Sequence, residues 1–311
     1  MQMVGRTKCA SVARRVDTKG MRCLSFFTFA LALHGQISGP IRNKLSAGDL
    51  LSAESILEVH ERDKGRDSHY LEGLAWVARG AVLLGEPVRA AEHDKRLRAL
   101  IDEKLAAGAD PAKDNALVGA LGAQIEVHAQ ILKKKDAVAY LDGQLAKFAK
   151  PMSLRTRIYK RRNMLKFAGA LAPEFIVEET LSPKPVALSE LKGSPVLVFG
   201  WAQWCGDCRA QAAAIGRIRK KYESRGLRIV MLTRFYESDK TAERAAIAKV
   251  WNESYRDLDG VASLVSEKSM ERYGVSSTPT FTLIDKKGKV AAYLPFRLTE
   301  AELDRRIAAL L

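Results

Sequence analysis

Two thiols with two residues between them, in Trp204-Cys205-Gly206-Asp207-Cys208, are the side chains of this 311-residue chain that point most directly to chemistry. A thiolate attacks disulfide sulfur, and a second sulfur one helical turn along lies close enough to close a disulfide with the first. The flanking sequence supplies the setting. Residues 195–201 are a short apolar run with the β-branched and aromatic character of a buried strand. After the pair, Gln211, Ile215, Ile218 and Tyr222 recur at spacings of four, three and four, a helical face that Gly226 stops. The cysteines therefore fall where a buried strand hands over to the N-terminus of a helix. Unpaired backbone N–H groups and the positive end of the helix dipole stabilise a thiolate there, drawing the first cysteine's pKa from about 8.5 toward neutrality or below.

Composition narrows the alternatives. With 47% hydrophobic and 28% charged residues, the chain reads as an ordinary globular protein, long enough for two domains that each bury a core. No apolar run reaches the roughly 18 residues that span a bilayer, which excludes a polytopic membrane protein. Four cysteines are too few for a disulfide scaffold. His34, His60, His69, His93 and His128 show no ligand spacing and lie outside the cysteine region, so neither a metal nor a cofactor is expected. The net charge of +15 is concentrated. Residues 1–22 hold six Lys/Arg against Asp17; residues 150–166 hold seven (Lys150, Arg155, Arg157, Lys160, Arg161, Arg162, Lys166) and no acid. The rest is nearly balanced, and no aromatic stacking platform accompanies the charge, so nucleic acid is not an expected partner. Segment 150–166 reads as a solvated face, or more sharply as a contact for an acidic partner or anionic headgroups.

Residues 1–39 read as a leader. Basic residues up to Arg22 precede an apolar run over 23–33; small residues follow, with cleavage suggested at Ala30-Leu31-Ala32 or at Gly35. That length suits the core of a signal peptide and is short for a membrane span. Met21 offers an alternative start. Export to the bacterial periplasm, with membrane contact at most peripheral, is the expected location. Cleavage would remove Cys9 and Cys23 and leave Cys205 and Cys208 as the only thiols.

Residues 40–170 lack strand alternation and are rich in Ala, Leu, Glu, Lys and Arg. Leu71, Leu74, Ala75, Ala78 and Val82 share one face of a helix over 71–84, which Gly85-Glu86-Pro87 breaks. Further helices are expected over 88–105, ending at Gly108 with Pro111 beyond, then over 115–132 and 137–148 with a turn at 133–136. Segment 150–166 would close the region or bridge to the next. Helix, short turn, helix, twice over, gives an all-α helical-hairpin domain, either loosely tetratricopeptide-like without a clean 34-residue period or some other bundle. It would dock another protein or act as a spacer.

The remaining residues, 172–311, alternate strands and helices. A second buried strand runs over 227–233. Ser277-Thr278-Pro279-Thr280 leads into a strand at 281–284, and the turn Asp285-Lys286-Lys287-Gly288 leads into Val290–Leu294, a hairpin signal. Thr299-Glu300-Ala301-Glu302 reads as a capping box opening a last helix, with Leu303, Ile307 and Leu310 on one face. Together these make an α/β domain with a mixed sheet. Here the chain resembles the thioredoxin-fold proteins of the TlpA-like exported thiol–disulfide oxidoreductases. The resemblance is carried by Ala172-Pro173-Glu174-Phe175, the segment 186–193, Trp201-Ala202-Gln203-Trp204-Cys205-Gly206-Asp207-Cys208, Tyr273-Gly274-Val275, Thr278-Pro279, and Ile284-Asp285 with Gly288. Residues 239–255, with Ala242, Ala245, Ala246 and Val250 at helical spacing, would be the helix such proteins insert into the basic fold. Residues 40–170 lie outside the resemblance.

The resemblance implies a thioredoxin fold, a mixed central sheet flanked by helices, acting on protein thiols and disulfides and served by an upstream redox partner. Cys205 would be the exposed nucleophile and Cys208 the more buried resolving thiol. Thr278-Pro279 would be the cis-proline loop that pairs with an extended substrate. Trp204 would shield the pair and help form the docking surface, with Gly206 and Asp207 between the cysteines. Trp201 is expected in the core. Two departures matter. Asp207 stands where thioredoxin usually has proline; its charge would oppose thiolate formation, which favours reduction of protein disulfides, or it would simply suit the first helical turn. Phe199 stands where thioredoxin has a buried acid, so the proton acceptor for Cys208 is unassigned. Two alternatives remain. One is a helical-repeat scaffold with a redox-inactive thioredoxin-like domain. The other, a peroxidase, lacks its Thr-x-x-Cys: Ala202 and Cys205 stand three residues before the two cysteines.

Overall fold

Seven helices come before the first strand in the computed structural model, which describes residues 36–181 and 185–311. The expected leader lies outside the described residues up to Gly35; Ser38 already begins α1 (Ser38–Ser46). Asp49, Asp67 and Asp114 each cap a helix, accepting the N–H of Ser52, Tyr70 and Leu117 at the starts of α2 (Leu50–Lys64), α3 (Ser68–Leu83) and α5 (Asn115–Ile131). Pro87 opens α4 (Pro87–Ala106), where its missing N–H costs nothing. α6 (Lys134–Lys147) and α7 (Met152–Lys166) follow. Lys134-Lys135-Asp136, expected as a turn, form the first turn of α6, where the Asp136 carboxylate suits the positive helix end. α3 is the central rod: Leu71, Leu74, Val77, Ala78 and Ala81 are all buried, and it packs on α1, α2, α4 and α5.

The α/β region is one six-stranded mixed sheet in the order β1-β4-β3-β2-β5-β6. Its strands are β1 (Glu179–Thr180), β2 (Val196–Gly200), β3 (Arg228–Thr233), β4 (Ala262–Val265), β5 (Thr280–Ile284) and β6 (Val290–Leu294). β2, β3 and β4 run parallel; the other pairings are antiparallel. Because β2 is central and buried on both faces, it carries no polar alternation. Leu197 and Phe199 share a core with α8 (Gly206–Tyr222) and α11 (Glu300–Ala308). Val196 and Val198 belong to the opposite core, with Met270 of α10 (Glu267–Arg272), Phe175 and Phe167. α9 (Lys240–Ser254) lies between β3 and β4 in the chain. At α11, Thr299 accepts the Glu302 N–H at 3.2 Å, but the Glu302 carboxylate turns to Arg305 and Arg306, so only half of the expected capping box forms.

Segment 150–166 departs from its reading as a solvated face. α7 packs on α10 and turns Arg155, Lys160, Arg161 and Arg162 toward partners within the molecule, while Lys150, Arg157 and Lys166 stay exposed. Arg155 pairs with Glu271 at 2.6 Å and donates to the Leu145 and Phe148 carbonyls. Arg162 reaches Asp142, and Lys160 donates to Ser277 Oγ at 2.9 Å. Gly274, at φ +64°, lies so close to α7 that a Cβ there would stand 2.5 Å from the Lys160 backbone nitrogen. The charges were legible in the sequence; their acids, far away in the chain, were not.

Candidate active site

The end of β2 fixes where the cysteines begin. Trp201 N–H donates to the Leu232 carbonyl at 2.9 Å, and Thr233 Oγ donates back to the Trp201 carbonyl at 2.8 Å, tying the chain beyond β2 to β3. Trp201 is fully buried against Trp251 and Tyr255, with ring centroids 6.2 and 4.9 Å away, the core position expected of it. Cys205 is the N-cap of α8, and its sulfur accepts the Cys208 N–H at 3.1 Å. The two cysteines are joined by a disulfide with Cα atoms 5.3 Å apart. A helix N-terminus thus places an amide and the positive dipole end at Cys205 Sγ, the arrangement that stabilises a thiolate when the bond opens.

Access is narrower than the sequence suggested. Cys208 is wholly buried, and Cys205, expected to be exposed, is only 4% accessible. Trp204 beside it is 57% exposed, its ring edge-on to Tyr236 at 5.4 Å. Gly206 has only the Arg209 guanidinium within 4 Å of where a Cβ would stand. Asp207 is not a lone charge: Arg297 Nη1 lies 3.1 Å from its carboxylate, with both side chains exposed. Arg297 therefore offsets part of the negative charge assigned to the site. Phe199, in place of an acid, is fully buried against Phe281.

The Thr278–Pro279 peptide is cis. Its place follows from register: Gly200 pairs with Thr280 across β2 and β5, so Pro279 flanks the end of β2 from which the chain runs to Cys205. Thr280 Oγ holds the loop by donating to the Ser277 carbonyl at 2.7 Å. Lys160 braces it from α7.

Sequence reasoning missed Glu243. Its apolar stripe on 239–255 (Ala242, Ala245, Ala246, Val250) is largely solvent-facing; the buried face is Glu243 and Ile247. The Glu243 carboxylate accepts the Tyr236 and Glu237 N–H groups and the Gln203 amide at 2.7–2.8 Å, pinning the residue before Trp204. The signal available was one of two acids on the insertion helix, with nothing to mark it as inward. Burial pushes the neighbouring Tyr236 phenol up to about 12, Arg234 opposing. Among the described residues no group of three His, Cys, Asp or Glu could hold a metal ion, and His60, His93 and His128 each pair with a carboxylate in the helical region.

The redoxin family model matches residues 167–297. The thiol–disulfide oxidoreductase ResA of Bacillus thuringiensis (strain Al Hakam) is 32% identical over 136 residues, 44% of this chain and 74% of the relative. The chain belongs to the TlpA-like thiol–disulfide oxidoreductases of the thioredoxin superfamily. The thioredoxin-like protein YneN of Bacillus subtilis (strain 168) is 26% identical over 151 residues, 48% of this chain and 84% of its own length. A solved thiol:disulfide interchange protein of the thioredoxin family from Chlorobium tepidum is similar at 21% identity and a TM-score of 0.38, over 46% of this chain and 96% of that one. The redoxin match begins at Phe167, which packs in the α/β core, so α1–α7 lie outside the matched residues.

Proposed function

We propose that Cys205 and Cys208 are the redox couple through which this oxidoreductase reduces disulfides of exported proteins. The observation that carries the reading is the Cys205–Cys208 disulfide at the N-terminus of α8, with the Cys205 sulfur on a helix amide. In the reduced protein the Cys205 thiolate attacks one sulfur of a substrate disulfide, forming a mixed disulfide and releasing the other substrate sulfur as a thiolate. Cys208, after losing its proton, attacks Cys205 Sγ; the 205–208 disulfide closes and the second substrate thiolate leaves. Two electrons pass to the substrate, and an upstream dithiol restores the pair. Trp204 and the Thr278-Pro279 loop flank the path of an extended substrate segment. Asp207 still biases the couple toward its disulfide, and so toward reducing the substrate, by less than its charge alone implies, because Arg297 is paired with it.

Two further assignments belong to this reading. Export rests on the basic and apolar residues ahead of Gly35 and on Cys205 and Cys208 being the only thiols beyond them. Residues 40–170 form a docking or spacing domain before the thioredoxin-like domain at 172–311. Its helices meet both the next helix and the next but one, α3 with α4 and α5 and α4 with α5, which supports a tetratricopeptide-like reading.

The test is insulin reduction by the full chain, with Cys205→Ser as control and Cys208→Ala as trap. Wild type is expected to precipitate insulin at least ~100-fold faster than Cys205→Ser, since the mutant has lost its nucleophile. Cys208→Ala is expected to accumulate a dithiothreitol-sensitive adduct through Cys205. Equal rates for wild type and Cys205→Ser would leave the thiol pair without a function.

A further inference from the structure

α7 gathers more positive charge at one place than the described acids neutralise. Arg79 of α3 and Arg161 of α7 share a single carboxylate, Glu126 of α5; the Arg79 Nε stands 3.4 Å from it and Arg161 pairs with it closely. Arg157, one turn before Arg161, lies over Gly122 of α5, where the absent side chain leaves room: a Cβ there would stand 3.1 Å from the guanidinium. Among the described residues Arg157 has neither an ion pair nor a hydrogen-bond partner, and Lys160 has only the Ser277 hydroxyl. Two of these four cations thus share one carboxylate, and the other two pair with none among the described residues. Burial, and then the charge of Arg157, push the Lys160 ammonium below its usual range; burial and Arg79 do the same to Arg161. Gathering like charge where water is partly excluded is unfavourable unless anionic groups arrive to meet it.

The cluster is tied to the site. Lys160 grips Ser277, two residues before Pro279, and Arg157 and Arg161 lie on the same helix within about 6 Å of rise. We propose that Arg79, Arg157, Lys160 and Arg161 form a docking site for an acidic segment of the substrate protein, next to the stretch that lies along the Thr278-Pro279 loop. The inference rests on the exchange reading above and adds what that reading lacks: a preference for substrates with carboxylates beside the reactive disulfide. It also gives the helical region a part in substrate choice, since Arg79 and Glu126 belong to it.

The experiment compares two synthetic peptides, each with one intramolecular disulfide, one followed by four acidic residues and the other by four serines. The full chain is first reduced and freed of reductant, and the second-order rate constant of peptide reduction is read from the oxidation of the Cys205–Cys208 dithiol. At low salt the acidic peptide is expected to react ~10-fold faster than the serine peptide, with the ratio falling toward one near 0.5 M salt. Arg157→Glu is expected to bring the low-salt ratio to one or below; Arg157 is exposed and unpaired, so its replacement leaves the fold intact. A wild-type ratio of one at low salt overturns the docking site while leaving the exchange reading in place. A ratio that survives Arg157→Glu overturns its assignment to this cluster. Failure of both peptides to react defeats the exchange reading and this inference with it. Competition by phosphatidylglycerol vesicles but not by polyglutamate assigns the cluster to a lipid surface and overturns the acidic-segment proposal.

Discussion

Glu243 shows how one buried carboxylate can set the geometry of a site it does not enter. Three donors converge on it: two backbone N–H groups of the 236–237 turn and the side chain of Gln203. No water replaces these bonds at a position 3% exposed, so the carboxylate is the structural acceptor for the turn and for the residue preceding Trp204. Glu243→Ala should therefore lower stability by roughly 2–4 kcal/mol, the range for leaving buried donors unpaired. Glu243→Gln keeps one acceptor oxygen but presents an amide to the remaining donors, and should fall between the variant and the parent. Urea midpoints of the three proteins measure this directly, and an alanine variant as stable as the parent would refute the role. Asp207 teaches the reverse lesson. Its charge was legible in the sequence, but its partner Arg297 is 90 positions away, so its effect on the thiols could be judged only with the fold in hand.

At the scale of elements, legibility followed local pattern. The strands flanking the cysteines, the hairpin at 285–288 and the long helices over 71–148 fall within a few residues of where periodicity put them, because each is specified by its own apolar spacing and its own breaker. The elements not read lacked those signals. β4 is four residues long and begins two residues after Gly260, while α1 is only nine residues long. The inward face of α9 was not marked in the sequence, because alanines suit either side of a helix, whereas the buried anchor was an acid. The role of α7 was hidden for a different reason: a helix with six basic residues looks solvated until its partners on α5, α6 and α10 are known. Gly274 is where that packing is tightest. An alanine there must hold φ at +64° and place its Cβ against the Lys160 backbone, which no side-chain rotation relieves. Roughly 2–4 kcal/mol of destabilisation is expected from the left-handed strain and the overlap together. Limited proteolysis should then cut between α7 and β1 before it cuts elsewhere; a Gly274→Ala protein with parental stability and cleavage would show that α7 is not held there.

For the molecule as a whole, four phenols, Tyr255 and Tyr273 buried and Tyr236 and Tyr293 half-buried, tie stability to alkaline pH. Burial raises Tyr236 to about 12 and holds Tyr255, Tyr273 and Tyr293 well above the usual phenol range. Their positions span the α/β region. Tyr236 and Tyr255 lie beside Trp204 and Trp201, while Tyr273 and Tyr293 meet Phe167 at the end of α7. In the unfolded chain each phenol ionises near pH 10. The folded state therefore keeps protons that the unfolded state releases, so this stability is complete below pH 10 and is lost as pH rises through the folded values, Tyr236 titrating first. Lys160 acts in the opposite sense: its ammonium is held below the usual range, so its deprotonation at rising pH relieves a penalty and offsets part of that loss. The urea midpoint of the full chain should hold steady from pH 8 to 9.5 and fall steeply from pH 10 to 12. Tyr236→Phe removes one of the linked protons and should flatten that fall by about 1.4 kcal/mol per pH unit. Because Tyr273 and Tyr293 are packed against Phe167, fluorescence from Trp76 in the helical region and from Trp201 in the α/β region should report one shared transition in that window. Loss of the Trp201 signal while Trp76 is unchanged would mean that α7 does not couple the two regions, and the charge-rich helix would then be a linker with contacts rather than a structural joint.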